Sequence, residues 1–265
     1  MSTLHPLLHR TALVGGSTQG IGRAIAQQFA KAGAQVVLLA RNADRLEALC
    51  KELPLINEEK PHRWVAADFS RPDMVEEEVR KYLTQHGPVH ILVNNTGGPP
   101  SGPLTDATEQ SFLTAFQSHL LCNHLLAKAV VPGMQAVGYG RIINIVSTSV
   151  KIPLPNLGVS NTIRGAVASW AKTLANELAP FGITVNNILP GATETARLKA
   201  IIAAKAAKTG LSEEEVTRDM QAEIPMRRFG RAEEIASLAE FLAGSGAAYI
   251  TGTSIPVDGG RTGSL

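Results

Sequence analysis

Seven short runs rich in valine, isoleucine and leucine punctuate this chain: TALVGG, AQVVLLA, HRWVAAD, HILVNN, RIINIVS, ITVNNILPG and SIPVD. Between most of them lie longer segments whose apolar residues recur at helical spacing. A strand that is apolar at almost every position has no face to offer to water, so both of its faces must be covered. Parallel neighbours also need a crossover, usually a helix, to bring the chain back to the same edge. Strands and helices in alternation therefore predict an α/β fold, a doubly wound and mostly parallel sheet with helices on both sides. One such domain can absorb all 265 residues, and no shift of composition marks a split, so we read residues 1–265 as a single domain.

Boundary signals support these elements. Pro72 opens a helix that carries Glu77 and Lys81 four residues apart and stops at Gly87, and Gly33 closes the first helix. Two stretches break the rhythm. TGGPPSGPL, from Thr96 to Leu104, follows a strand directly and is too rich in glycine and proline for regular structure, so it should be a loop at the carboxyl edge of the sheet. From Ala192 to Pro225 the composition is helical, and Ser212 to Glu215 form a capping box just after Gly210. This reads as an inserted helical pair, a lid at about 192–225, since insertions at that edge commonly cover a ligand.

Composition excludes several roles. A net charge of +2 with scattered lysines and arginines argues against nucleic acid or a membrane surface as partner. Cys50 and Cys122 have no metal-type or redox spacing, so no metal is expected and a reduced, cytoplasmic location fits. MSTLHPLLHRTALVGG lacks the layout of a secretory leader, and no apolar run reaches membrane-spanning length. A small molecule is the expected partner.

The first strand runs into GSTQGIGRAIAQQFAKAGA, which places Gly16, Ser17, Gly20, Ile21 and Gly22 in the turn that opens the first helix. Glycines let the backbone approach a pyrophosphate, and the helix start presents free N–H groups and a positive dipole end. This strand–turn–helix context is that of a Rossmann-like dinucleotide site. At the end of the second strand, LLARNADR sets Ala40 and Arg41 where an NAD-binding site usually has a carboxylate. Arg41 can pair with a 2′-phosphate, so NADP(H) is favoured, the alternative being a solvated loop arginine.

The Gly-x-x-x-Gly-x-Gly spacing is followed in order by AADF, NNTG, LPGATET, PMRRFGRAEEIA and YITGTSIPVDGG. Over nearly its whole length the chain thus resembles the short-chain dehydrogenase/reductase family, of the group that includes 3-oxoacyl-carrier-protein reductases. The resemblance implies that Asp68, with Phe69 beside it, meets the adenine, and that Asn95 and Gly97 line the adenosine ribose. It further implies that Pro190, Gly191 and Thr195 lie at the pyrophosphate–nicotinamide end, with Asn94 structural. SIPVDGG is similar to the family's last strand, which commonly packs between subunits, so a homotetramer is implied.

The family's catalytic set is a Ser, a Tyr-x-x-x-Lys on the next helix and an Asn on the preceding long helix. Ser147 fits the first by its place after GRIINI, but at the family's spacing the Tyr falls on Ser160, the Lys on Arg164 and the Asn on His119, with Asn123 one turn further on. None of Tyr82, Tyr139 and Tyr249 is followed four residues later by a lysine. A serine hydroxyl has no pKa near working pH, and an arginine stays charged, so neither copies a tyrosine general acid. The expected function is an atypical NADP(H)-dependent oxidoreductase acting on a carbonyl, hydroxyl or enone compound. Ser147 would orient substrate, Arg164 would hold the nicotinamide ribose, and Ser160, water or His119, which titrates near neutrality if unperturbed, would stand in for the tyrosine. The alternative is a catalytically silent NADP(H)-binding sensor or partner subunit.

Overall fold

All seven apolar runs form strands: β1 (Thr11–Gly15), β2 (Gln35–Ala40), β3 (Arg63–Ala66), β4 (Ile91–Asn94), β5 (Gly140–Ile145), β6 (Ile183–Pro190) and β7 (Ser254–Val257). The structure, a computed structural model, describes residues 5–264. The strands make one sheet in the order β3-β2-β1-β4-β5-β6-β7, with every pairing parallel. The chain builds outward from β1 to β3, then returns to β4 and builds the other way. That reversal opens a crevice at the carboxyl ends of β1 and β4, where ligands of such sheets bind.

Nine α-helices are present among the described residues: α1 (Gly20–Lys31), α2 (Ala43–Glu52), α3 (Pro72–His86), α4 (Glu109–Ala115), α5 (Cys122–Val137), α6 (Gly158–Leu178), α7 (Ala196–Thr209), α8 (Glu213–Ala222) and α9 (Ala232–Ala243). The period-2 geometry of the strands sorts the core into two layers. Ala12, Val14, Leu38, Val93 and Ile143 meet Ile25 and Phe29 of α1 and Ile235 and Leu242 of α9. On the opposite face, Leu13, Val37, Leu92 and Ile142 meet Val79 of α3, Leu126 of α5 and Ala171 of α6. Each large side chain fully buried here contributes about 1.5–3 kcal/mol. Pro256 lies in β7, an edge strand, where its missing N–H is tolerated.

Boundaries follow the local signals. Pro72 occupies the first turn of α3, and Lys81 pairs with Glu77 at 2.8 Å on its exposed face. Gly210 ends α7 in the left-handed region, and Ser212 and Glu215 cap α8 reciprocally. Leu198, Ile202, Val216, Ile224 and Phe229 give this helical pair a cluster of its own, apart from the two main layers. No helix among the described residues is long and apolar enough to cross a membrane.

A polar ladder ties the carboxyl ends of four strands together. Asn94, Asn144, Asn187 and Ser254 occupy paired register positions on β4, β5, β6 and β7. Asn94 donates to Asn144 at 2.8 Å, Asn144 to Asn187 at 2.9 Å and Asn187 to Ser254 at 3.1 Å. Asn94 is thus structural, as its position implies.

Candidate cofactor and substrate site

The turn after β1 is shaped by close approach. Gly16 and Gly20 have φ of +57° and +53°, and a Cβ at Gly16 would lie 2.7 Å from the Asn95 side-chain nitrogen. A Cβ at Gly22 would collide with the Gly16 carbonyl oxygen. Gln19, at the N-cap of α1, forms no side-chain cap and the first turn holds no acid. The free N–H groups and positive end of α1 are therefore open to a phosphate, which fits the expected dinucleotide.

Three side chains assigned to the cofactor also make contacts within the protein. Asn95 donates from Nδ2 to the carbonyls of Gly15, 3.0 Å, and Gly16, 3.5 Å, so its amide fastens the end of β4 to the turn. Ser17 is fully buried, with both its N–H and its hydroxyl directed to the Leu39 carbonyl at 3.5 Å. The half-buried Ile21 packs against the core layer of α1. Gly97 borders open space.

Beyond β2 and β3, Arg41 and Asp68 face each other at 3.9 Å across an exposed surface. The Arg41 side chain is 75% exposed and free to swing to a phosphate. Asp68 accepts the Ser70 N–H at 2.9 Å. The half-buried Phe69 packs against the second core layer, and its carbonyl accepts the Cys122 thiol hydrogen. Following β6, Pro190 leads to Gly191, where a Cβ would sit 2.7 Å from that of Asp258. Thr195 caps α7, accepting the Leu198 N–H at 3.3 Å. The Thr195 methyl also approaches Gly20, 3.3 Å from where a Cβ there would be. The helical pair thus begins directly over the glycine turn.

The catalytic positions gather at the ends of β4 and β5. Ser147 lies two residues beyond β5, its hydroxyl accepting the Ser149 N–H at 3.1 Å. Ser160, on the first turn of α6, and Arg164, one turn later, are both buried. Arg164 donates from Nη1 to the Ile145 carbonyl at 3.1 Å. Burial, reinforced by Arg197, pushes its guanidinium down to about 10, so it remains charged at neutral pH.

His119 departs from expectation. It sits in a π-helical segment, Phe116–Leu121, that joins α4 to α5, and its Nδ1 is 2.5 Å from the Thr96 hydroxyl. Burial, with Arg164 and Arg197 adding to it, pushes its pKa down to about 2. The imidazole is neutral at working pH and cannot serve as an imidazolium acid.

Two participants escaped the sequence reading. Thr96 stands where the family's Asn-Asn-Ala-Gly has alanine, and it meets His119, itself a departure from asparagine. Arg197, at the start of α7, donates to the carbonyls of Gly98 at 2.8 Å and Pro99 at 2.9 Å. A Cβ at Gly98 would be 2.7 Å from the Arg197 guanidinium carbon, so a side chain there would displace the guanidinium from this clasp. Arg197 thereby links the helical pair to the loop after β4, over the crevice.

Comparison with known proteins gives a coherent picture. A family model described as enoyl-(acyl carrier protein) reductase matches residues 16–262. The NADPH-dependent reductase BacG of Bacillus subtilis is 32% identical over 256 residues, covering 97% of this chain and 99% of that protein. The 3-oxoacyl-(acyl-carrier-protein) reductase FabG of Vibrio cholerae is 34% identical over 253 residues, covering 95% and 96%. Among solved structures, L-sorbose reductase from Gluconobacter frateurii, complexed with NADPH and L-sorbose, aligns with a TM-score of 0.91 at 31% identity over 99% of this chain and 100% of that one.

Proposed function

The chain belongs to the short-chain dehydrogenase/reductase family, and from that premise we propose that it is an NADP(H)-dependent oxidoreductase of small carbonyl, hydroxyl or enone compounds in which Ser160 and Arg164 replace the family's tyrosine and lysine. The observation that carries the replacement is the seating of Arg164: a buried guanidinium, anchored to the end of β5, one helical turn from Ser160.

The glycine turn and the start of α1 hold the pyrophosphate, and Arg41 pairs with the 2′-phosphate. When bound, NADPH supplies a hydride. Ser147 orients the substrate oxygen, and N–H groups of Arg164 not used on Ile145 hold the nicotinamide ribose. Because His119 stays neutral, the proton for the reduced oxygen comes through Ser160 or water. Lack of a positioned acid lowers the rate by about 10²–10⁴ for simple ketones.

That same lack supports a second reading, a silent NADP(H)-binding sensor or partner subunit. A screen for NADPH oxidation over diverse ketones, oxo acids and enones separates the two: turnover of any class supports the enzyme, whereas tight NADPH binding with no turnover supports the sensor. Ser160→Tyr combined with Arg164→Lys should raise simple ketone reduction. If the unmodified protein already reduces simple ketones at a rate that this pair does not improve, the replacement reading fails.

The proposed assembly is a homotetramer. The edge strand β7 and the exposed Phe241 and Tyr249 are candidate surfaces for self-association. A monomer in light scattering at micromolar concentration counts against it.

A further inference from the structure

A second groove lies away from the crevice, along the open edge of the sheet. β3 is the outermost strand on its side, and α2 and α3 flank it, each packed on a different face. Between them is a cavity of about 340 Å³, its walls including Cys50 and Lys51 of α2, Tyr82 and His86 of α3, and Arg63 and Trp64 of β3. Small ligands occupy spaces of this size. Arg63 opens β3 at its amino end, whereas Arg41 and Asp68 follow the carboxyl ends of β2 and β3. The groove and the cofactor crevice are therefore at opposite ends of the same parallel strands.

Part of the polar wall is already satisfied. Lys51 pairs with Glu47, also on the groove, at 2.7 Å. His62, another wall residue, accepts the Val36 N–H at Nδ1, 3.0 Å, and so turns a protonated Nε2 to the Pro54 carbonyl at 3.1 Å. Arg63 is different. It is half-buried, yet among the described residues no carboxylate lies within 4 Å of it. Nor does it cover an aromatic ring, as Arg10 and Arg141 cover Tyr139 at 3.7 and 4.2 Å. Its charge is felt at both Tyr82 and His86. The sealed side-chain atoms that lack a partner are Asn94 Oδ1, Arg141 Nε and Ser149 Oγ; the Tyr82 hydroxyl, which makes no hydrogen bond among the described residues, is not one of them and opens onto the groove it lines. Burial pushes that hydroxyl up to about 12, with Arg63 opposing, so it stays a protonated donor.

We propose that this groove is a ligand site for a flat aromatic carboxylate, whose carboxylate rests on Arg63 and the Tyr82 hydroxyl and whose rings lie against Trp64. The site is independent of the oxidoreductase reading above. Neighbouring residues of a strand point to opposite faces, so a molecule that touches both Arg63 and Trp64 lies across the open edge of β3, where no further strand intervenes. That span calls for an elongated, flat body. Trp64, 39% exposed on an edge strand, supplies a large apolar surface for it. A planar fork of N–H donors suits a carboxylate, and one uncompensated positive charge calls for one negative charge. An aliphatic acid would forgo the ring contact, and a polyphosphate would bring more charge than one arginine balances.

Calorimetry with 2-naphthoate tests the site. The acid should bind at least tenfold more tightly than neutral 2-naphthamide, as a hydrogen-bonded charge pair provides, and more tightly than octanoate. Arg63→Gln should close the gap between acid and amide without changing the affinity of the amide, and Arg63→Lys should keep part of it. Trp64→Ser should weaken acid and amide alike. NADP+ added beforehand should leave 2-naphthoate binding unchanged; displacement would put the acid in the crevice and overturn the proposal, whereas failure of NADP+ to bind defeats the cofactor reading alone. No binding of 2-naphthoate at millimolar concentration, equal binding of octanoate, or a gap indifferent to Arg63 overturns the proposal. AMP that binds more tightly than 2-naphthoate and is weakened by Arg63→Gln assigns the groove to nucleotides, and also overturns it.

Discussion

Replacing Arg164 with methionine should make the ligand-free protein more stable while removing its proposed hold on the nicotinamide ribose. In the folded chain the guanidinium falls from 12.5 to about 10, first through burial and then through Arg197. At about 1.36 kcal/mol per pH unit, that lowering costs the folded state roughly 3 kcal/mol when the group is charged. The folded pKa lies below the unfolded one, so the cost is fully present below about pH 10 and fades as pH rises toward 12.5. Methionine has a similar reach, no charge and enough freedom to fill the space. What it forfeits is the 3.1 Å hydrogen bond to Ile145, worth about 1–2 kcal/mol with the carbonyl left unpaired. The net expectation is a gain of about 1–2 kcal/mol, or a few degrees in melting temperature for a chain of this size. Urea unfolding at pH 7 and pH 9, without ligands, should give the same gain at both. A loss of more than 1 kcal/mol would refute the reasoning, because the guanidinium would then be a net structural asset. Such a trade of stability for a strained charged site is common where binding demands it.

Arg41→Ala should weaken NADPH binding about tenfold and leave NADH unchanged in parallel calorimetric titrations, since a charge-assisted pair to the 2′-phosphate is lost. Asn144→Ala strands the Asn94 donor and the Asn187 acceptor, now bonded at 2.8 and 2.9 Å, and should cost about 2–5 kcal/mol in urea unfolding; a loss under 1 kcal/mol means the ladder relaxes. His119→Ala should leave the pH profile of any measured turnover unmoved between pH 5 and 9, because this imidazole titrates near 2; displacement of a limb would show that it protonates in the complex. Gly22→Ala should abolish cofactor binding or soluble expression, as its Cβ would meet the Gly16 carbonyl, and retention of both would mean that the turn shifts at little cost.

Much of the fold was legible because it is local. An all-apolar strand declares that both its faces are covered, so the seven runs and their helical spacers already define a parallel sheet. Gly210 and Ser212 mark a helix stop and start through backbone conformation and a hydrogen bond only three residues long. Helical periodicity alone places Ser160 and Arg164 on adjacent turns of α6. The electrostatic character of the site was not legible in this way. Thr96 and His119 are 23 residues apart, and Arg197 is 99 residues from Gly98. Asn95 and Ser17 read as ligand-facing polar residues, yet packing turns them onto backbone carbonyls. A pKa or an unpaired charge depends on every group and every bit of solvent within several ångströms. Periodicity determines which face of an element is buried; only the assembled chain decides which charges are buried together, and it leaves Arg164 without a partner of opposite sign.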